Sequence, residues 1–485
     1  MKTCTRTIRF TLLGFVTLAL HTIDIQAQVT IGLGEAPAKA GLLQLKEQEP
    51  DANNITCKTG GFILPRVALV NLKTLEPFVN PAEAGYASEK AKNVGLLVYN
   101  MTKTTPFVPG LYLWDGEQWG VLRATSDSVP TRDNSGSIPV EPNAPSSMTD
   151  PAGLKLSNSF IVGFNKTIDI PVIKAYAVWN QLLNLNEVGL QGAVSVELLW
   201  EDKKDLIKEV TLASGDKGTA SMLRVTTNSN NLQGNAVVAV KINNVIRWSW
   251  HIWVTNYDPE VLAGEKVYNN TIFMDRNLGA INTTPGNIGS LGMLYQWGRK
   301  DPFPGSSAVD DNLEIVLYTV SGGNVAIGKN KVNNSLNMPT SIINPYTFYY
   351  STEGNQDWYS NSGTTNNYLW SNTDNTKGTY DPCPKGWRVP RSGSGSACPW
   401  NGLGGGGPAF DKGKGEEWTV AGYYPAAGYR DPATGNLTMV GLEGYNWSAT
   451  AFYSTVYRLF FKSYYIQVDA TDNRAKGSSV RCIKE

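Results

Sequence analysis

The sequence predicts a mostly β, multi-domain chain, and three observations carry that prediction. Short apolar runs bounded by Gly, Pro and Asn recur along its length, a period-two alternation runs through 247–254, and a polar stretch at 124–150 interrupts the apolar pattern. At 485 residues the chain is long enough for about three domains with cores of their own. The patterns divide it into a leader at 1–27, an N-terminal β module at 28–123, a linker at 124–150, a β-sandwich at 151–257 and a C-terminal α+β domain at 258–485.

The leader reading rests on Lys2, Arg6 and Arg9 ahead of the apolar run Phe10 to Leu20, with Ala27 as a small residue at the expected cleavage point. That run is too short for a permanent membrane span, and no later stretch is long and apolar enough for one. An exported protein, at the cell surface or outside the cell, is therefore expected. With 42 basic and 42 acidic residues and no basic run, the composition excludes nucleic acid as a partner. Loss of the leader leaves 39 basic and 41 acidic residues, a single histidine, His251, and four cysteines.

The N-terminal module begins VTIG at Val29 and continues through GFILPR at 61–66 and GLLVYN at 95–100 to a Trp-Asp-Gly…Trp ending at 114–119. Asp115-Gly116 marks a hairpin turn between Trp114 and Trp119. This order resembles a module found at the N-termini of exported Bacteroidetes proteins and is similar to pieces of phage tail fibres, which implies display or assembly. The stretch 124–150 is rich in Ser, Pro, Asn and Asp, has almost no large apolar side chains and reads as a linker.

From Ser157 to Tyr257 the pattern is again β. Ala236–Lys241 and Ile246–Val254 flank Asn243-Asn244, residues that tolerate the positive φ of a two-residue hairpin. Alternation sets Trp248, Trp250, Ile252 and Val254 on one face and Arg247, Ser249, His251 and Trp253 on the other, with His251 expected toward solvent. An antiparallel sandwich with an aromatic core strand follows. The phrase GNAVVAVKINNVIRWSWHIWVTNYDPE resembles a segment of Bacteroides surface and fimbria-associated proteins that precedes a lectin-like domain.

Seven of the fourteen tryptophans fall beyond residue 258, amid Gly, Asn, Ser and Tyr, so that region is expected to be loop-rich and held by buried rings. Cys383 and Cys482, 99 residues apart, are the expected disulfide, and closing so long a loop gives roughly 4 to 5 kcal/mol in the chain-entropy model. Four cysteines allow three full pairings, and Cys383 with Cys398 is the rival. The segments YNNTIFMDRNLGA, GMLYQWGRKDPFPG, YDPCPKGWRVP, EEWTVAGYYPAAGYRDPATGNL, EGYNWSATAF and SVRCIKE, in this order, resemble the Fibrobacter succinogenes major paralogous domain, whose fold is similar to C-type lectin-like and formylglycine-generating-enzyme-like domains. The chain departs from that pattern at an insertion over 392–415, which brings in Cys398 and Trp400.

Catalytic chemistry finds little support. The string Gly402, Gly404, Gly407 lies between Pro399 and Pro408 without the strand and helix a dinucleotide site needs, and one histidine cannot build a histidine-rich centre. No cofactor is expected, with calcium the one ion considered, because Trp370-Ser371-Asn372-Thr373-Asp374 resembles the calcium and sugar motif of C-type lectins and carries oxygen ligands. Asn and Asp are also ordinary turn formers.

The sequence thus suggests a non-catalytic surface adhesin that binds a glycan or a host or bacterial surface protein. The alternative is a structural or tip subunit of a fimbria-like or fibre-like appendage. The expected ligand surface comprises Tyr423, Tyr424, Tyr429 and Arg430 in the segment 422–436, with Trp400 from the insertion. Against this stands a bracing role in the fold for Tyr423, Tyr429 and Arg430. Trp400 is expected outside the core, since an insertion is not needed to complete one.

Overall fold

A computed structural model describes residues 29–31, 43–45, 48, 57, 63–102, 107, 109–122, 145, 147–185, 189–213, 215–260, 264–332, 338–352, 356–359, 366–404, 410 and 413–485. The leader at 1–27 and nearly all of the linker at 124–150 lie outside these residues. The architecture is mostly β, in two compact units, residues 1–122 and 123–485. No helix among the described residues is long and apolar enough to cross a membrane.

In the first unit β1 (Val29–Ile31) runs parallel to β2 (Leu43–Leu45). A four-stranded sheet follows, in which β3 (Arg66–Val67) is parallel to β4 (Leu97–Asn100), and β4, β5 (Gly110–Trp114) and β6 (Trp119–Leu122) are antiparallel. The β5–β6 turn falls at Asp115-Gly116. There the Asp115 carboxylate accepts from the Glu117 and Gln118 amides, and Gly116 adopts a φ of 106° that side chains disfavour. Trp114 and Trp119 stand opposite in register with ring centres 5.4 Å apart, and they anchor a small core with Leu69, Leu75, Val98, Phe107 and Tyr112. Helix α1 (Tyr86–Lys92) buries no residue fully.

The second unit is built on a six-stranded sheet in the order β18-β17-β9-β12-β13-β7, formed by β7 (Ser159–Val162), β9 (Val194–Glu201), β12 (Gly234–Ile242), β13 (Val245–Val254), β17 (Leu317–Tyr318) and β18 (Asn324–Val325). The β12–β13 hairpin turns through Asn243 and Asn244 at φ 54° and 58°, as two asparagines permit. A second, three-stranded sheet joins β8 (Thr167–Pro171), β10 (Ile207–Leu212) and β11 (Met222–Thr227). After β8 in the chain comes helix α2 (Ile173–Leu183), which the alternation argument did not indicate. Its first seven residues are all buried, and Trp179 donates its ring N–H to the Arg247 carbonyl while the Arg247 guanidinium lies over the Trp179 ring.

The segments expected as separate domains at 151–257 and 258–485 share this six-stranded sheet, because Tyr318 of β17 pairs with Glu201 of β9. One hydrophobic core runs from Val162 to Cys482. Beyond β13, a four-stranded sheet combines β14 (Glu265–Tyr268), β15 (Thr271–Met274), β30 (Ile483–Lys484) and β21 (Trp387–Arg388). The largest sheet has the order β25-β24-β29-β26-β27-β28, with β16 (Leu294–Gln296) paired to β29 (Gly477–Ser479). Its other members are β24 (Tyr429–Arg430), β25 (Leu437–Thr438), β26 (Glu443–Phe452), β27 (Thr455–Lys462) and β28 (Tyr465–Asn473). Two small pairs complete the set: β19 (Gly328–Lys331) with β20 (Thr347–Tyr350), and β22 (Gly415–Trp418) with β23 (Gly422–Pro425), while helix α3 (Met338–Ile343) precedes β20. Cys383 and Cys482 are joined by a disulfide beside the β21–β30 pair. Cys398 keeps its thiol, 2.9 Å from the Val468 carbonyl.

Candidate functional site

Of the residues expected to form a ligand surface, Trp400 and Tyr424 pack in one cluster while Tyr429 and Arg430 meet other neighbours, and most lie beneath the surface. Trp400 is fully buried, packed with Phe273, Cys398, Leu403, Tyr424, Leu459 and Phe461 in a second apolar cluster. Its expected exposure is therefore corrected. From the insertion, Cys398, Trp400, Leu403 and Phe410 join Leu459 and Phe461 of β27 in this cluster. Tyr424 is equally buried, with the Arg481 guanidinium 3.4 Å from its ring centre. Tyr423 gives its hydroxyl hydrogen to the Gly413 carbonyl. Arg430, with no exposure, donates to the Pro304 and Gly435 carbonyls and to both carboxylate oxygens of Glu314. Those bonds brace three loops, and the attached carboxylate is held below its usual range chiefly by Arg430 acting against burial. Tyr429 is half-buried, 5.0 Å from the Tyr445 ring, with the Lys476 ammonium 4.0 Å from its own ring centre.

His251 is also corrected from solvent-facing to buried, because residues beyond 258 cover the second face of β13. Its Nε2 lies 2.9 Å from Asn235 Oδ1 and its Nδ1 3.1 Å from the Tyr295 hydroxyl, and burial pushes its pKa down to about 3. On the same strand, Ser249 donates to Asp301 Oδ1, and the Lys300 ammonium reaches both Ser249 and Asp301. Burial lowers Lys300 to about 8 against the opposing pull of Asp301. Sequence reasoning missed this polar seam. Its one signal was the charged triplet Arg299-Lys300-Asp301 set inside an aromatic run.

At the former Trp370–Asp374 candidate, Asn372 donates to Thr376 and Lys377, and Asp374 accepts from the Thr376 amide and hydroxyl. These are turn bonds. No group of three or more His, Cys, Asp or Glu side chains able to hold a metal ion occurs among the described residues. A cleft of about 250 Å³ is lined by residues of 279–293 and 306–318 together with 202–204 and 233–235, Asp202 and Asn235 among them. Burial raises Asp202 to about 6, and both its oxygens already accept from Asn235.

The first unit presents a different feature. Ile63, Val70, Phe78, Val94, Tyr99 and Met101 are all exposed, by 38% to 78%, on a module whose own core holds seven buried side chains. That is a heavy apolar load for so small a fold. A family model described as a phage tail like trimerisation region matches residues 31–135, about a fifth of the chain. No curated protein and no solved structure matches. The matched segment is thus the one that carries these exposed apolar side chains, and it points to a fibre-like or tail-like protein whose copies associate.

Proposed function

We propose that this chain is a non-catalytic, exported subunit of a fibre-like appendage, in which three copies associate through the N-terminal module. The observation that carries this reading is the coincidence of the trimerisation-region match with the exposed apolar side chains from Ile63 to Met101. A monomer leaves that surface in water, whereas association removes it at roughly 25 cal/mol per Å². Assembly then multiplies whatever the second unit binds, since three linked sites act with raised effective concentration.

The second unit supplies the binding or tip role, toward a glycan or a host or bacterial surface protein. Its likeness in sequence to the major paralogous domain, and through that to lectin-like folds, supports this part. The assembly is tested by placing charge on the apolar surface. Val70→Asp with Val94→Asp in the full chain is expected to dissociate the assembly into single chains. An unchanged mass would refute the role given to this surface.

A further inference from the structure

We propose that the end of the β26–β27 hairpin is a metal-independent binding face for neutral saccharides, built on Phe452, Tyr453 and Tyr457. This rests on the binding role proposed for the second unit, and it does not depend on assembly. The register sets the face. Phe452 stands opposite Thr455, Thr455 opposite Asn473 and Tyr457 opposite Thr471, with no shift between these last two pairs, so all five side chains project from one side of the sheet. The Phe452 ring lies 5.3 Å from Tyr457 and 4.8 Å from Tyr453, giving a continuous aromatic surface beside the Thr471 hydroxyl, the Thr455 hydroxyl, which donates to the Phe452 carbonyl, and the Asn473 amide, which donates to Gln356. Pyranose rings stack on such surfaces through their C–H faces and use hydroxyl and amide neighbours for their own hydroxyls.

Two further facts set this place apart from a chance exposure of rings. Tyr453 is 82% exposed and has a φ of 52°, a left-handed conformation that disfavours an aromatic side chain, so local backbone preference does not account for a tyrosine at this turn. The turn is nevertheless held firmly from beneath. The buried Arg474 guanidinium donates to the Tyr453 and Ser454 carbonyls and, on its other side, to the Asn366 carbonyl and Asn367 Oδ1. That bracket also fixes the loop bearing Tyr368, a further ring exposed by 55%.

Charge selects the ligand class. None of the face residues is an acid or a base apart from the tyrosine phenols, and Arg458 and Asp472 on the opposite side of these strands are paired with each other. A neutral sugar meets no buried charge here, and an acidic sugar meets no cation to pair with.

The test is a microarray of neutral gluco-, galacto-, manno- and xylo-configured oligosaccharides probed with the full chain, followed by titration calorimetry of the strongest binder with EDTA present. Binding is expected to persist in EDTA. Tyr453→Asn and Tyr457→Ala are expected to weaken it about tenfold or more, with Tyr464→Ala, at the other end of β27, unchanged. Because Asn tolerates the left-handed conformation, Tyr453→Asn is expected to hold or raise the melting temperature while affinity falls. Absence of binding to every neutral oligosaccharide by the folded chain would overturn the proposal. So would unchanged affinity in both face variants, loss of binding in EDTA, or capture of a protein partner alone through these residues. The oligomeric mass measured on the same samples reports the assembly separately, so failure of one reading leaves the other open.

Discussion

The hydroxyl of Tyr295 and Nδ1 of His251 lie 3.1 Å apart, across the seam between the strand pair β12–β13 and the region beyond residue 258. Asn235 spends its amide N–H groups on Asp202 and the Gly279 carbonyl, so its Oδ1 accepts from His251 Nε2, and Tyr295 donates to Nδ1. A neutral imidazole satisfies both bonds, and a protonated one does not. With the folded pKa near 3 and the ordinary value of 6.5 in the unfolded chain, the unfolded state binds the extra proton between these pH values. The histidine's contribution is therefore fully present above about pH 6.5 and declines as pH falls toward 3, by at most about 1.4 kcal/mol per unit.

Asp202 and Asp381, both raised to about 6 by burial, act with the opposite sign, since the folded state holds their protons while the unfolded state releases them near 3.8. The histidine is isolated by comparing variants. Urea melts of the protein and of His251→Gln between pH 4 and 7 are expected to show a flatter acid limb for the variant. Parallel curves would assign the acid response elsewhere.

The same seam predicts that residues 258–485 do not fold alone. Asn158 donates to the Thr379 and Asp381 carbonyls, Ser159 to the Pro382 carbonyl, and Lys174 to the Thr379 carbonyl, all from the segment before residue 258. Removing that segment strands these acceptors and uncovers the core shared with β13. Near-UV circular dichroism of 258–485 is expected to lack fixed aromatic signals that 147–485 retains. A native-like spectrum from the shorter fragment would contradict the shared core.

Trp400→Ala is expected to cost about 3–5 kcal/mol of stability, as large-to-small changes at buried aromatic sites do. Chemical denaturation measures it. A loss below about 1 kcal/mol would place the indole outside the core.

Loss of the Cys383–Cys482 bond is expected to remove about 2–5 kcal/mol. Non-reducing peptide mapping should recover the linked peptides, and Cys383→Ser with Cys482→Ser should melt earlier than the parent. Recovery of a Cys383–Cys398 link would contradict the fold around β21 and β30.

Much of this architecture is legible because it depends on local rules. The Asp115-Gly116 and Asn243-Asn244 turns need positive φ or short polar side chains, and those residues stand there in the sequence. The rest was hidden because it depends on partners distant in the chain. Alternation assigned Ser249 and His251 to the side opposite Trp250 but could not disclose that Tyr295 and Lys300 would cover it. An insertion looks dispensable from its glycines, yet Trp400 is drawn in beside Phe273, Tyr424, Leu459 and Phe461, which come from distant parts of the chain. Helix α2 begins two residues after the strand-like run Thr167–Pro171, and its Ala, Leu and Gln were overshadowed by that β signal. The aromatic face at Phe452–Tyr457 arises from register across three strands, which a single pass along the chain does not reveal.

The central claim is that copies of this chain associate in threes through the N-terminal module. Light scattering coupled to size-exclusion chromatography of the full chain at micromolar concentration tests it most directly. The account predicts the mass of three chains, and a species with the mass of a single chain would contradict it.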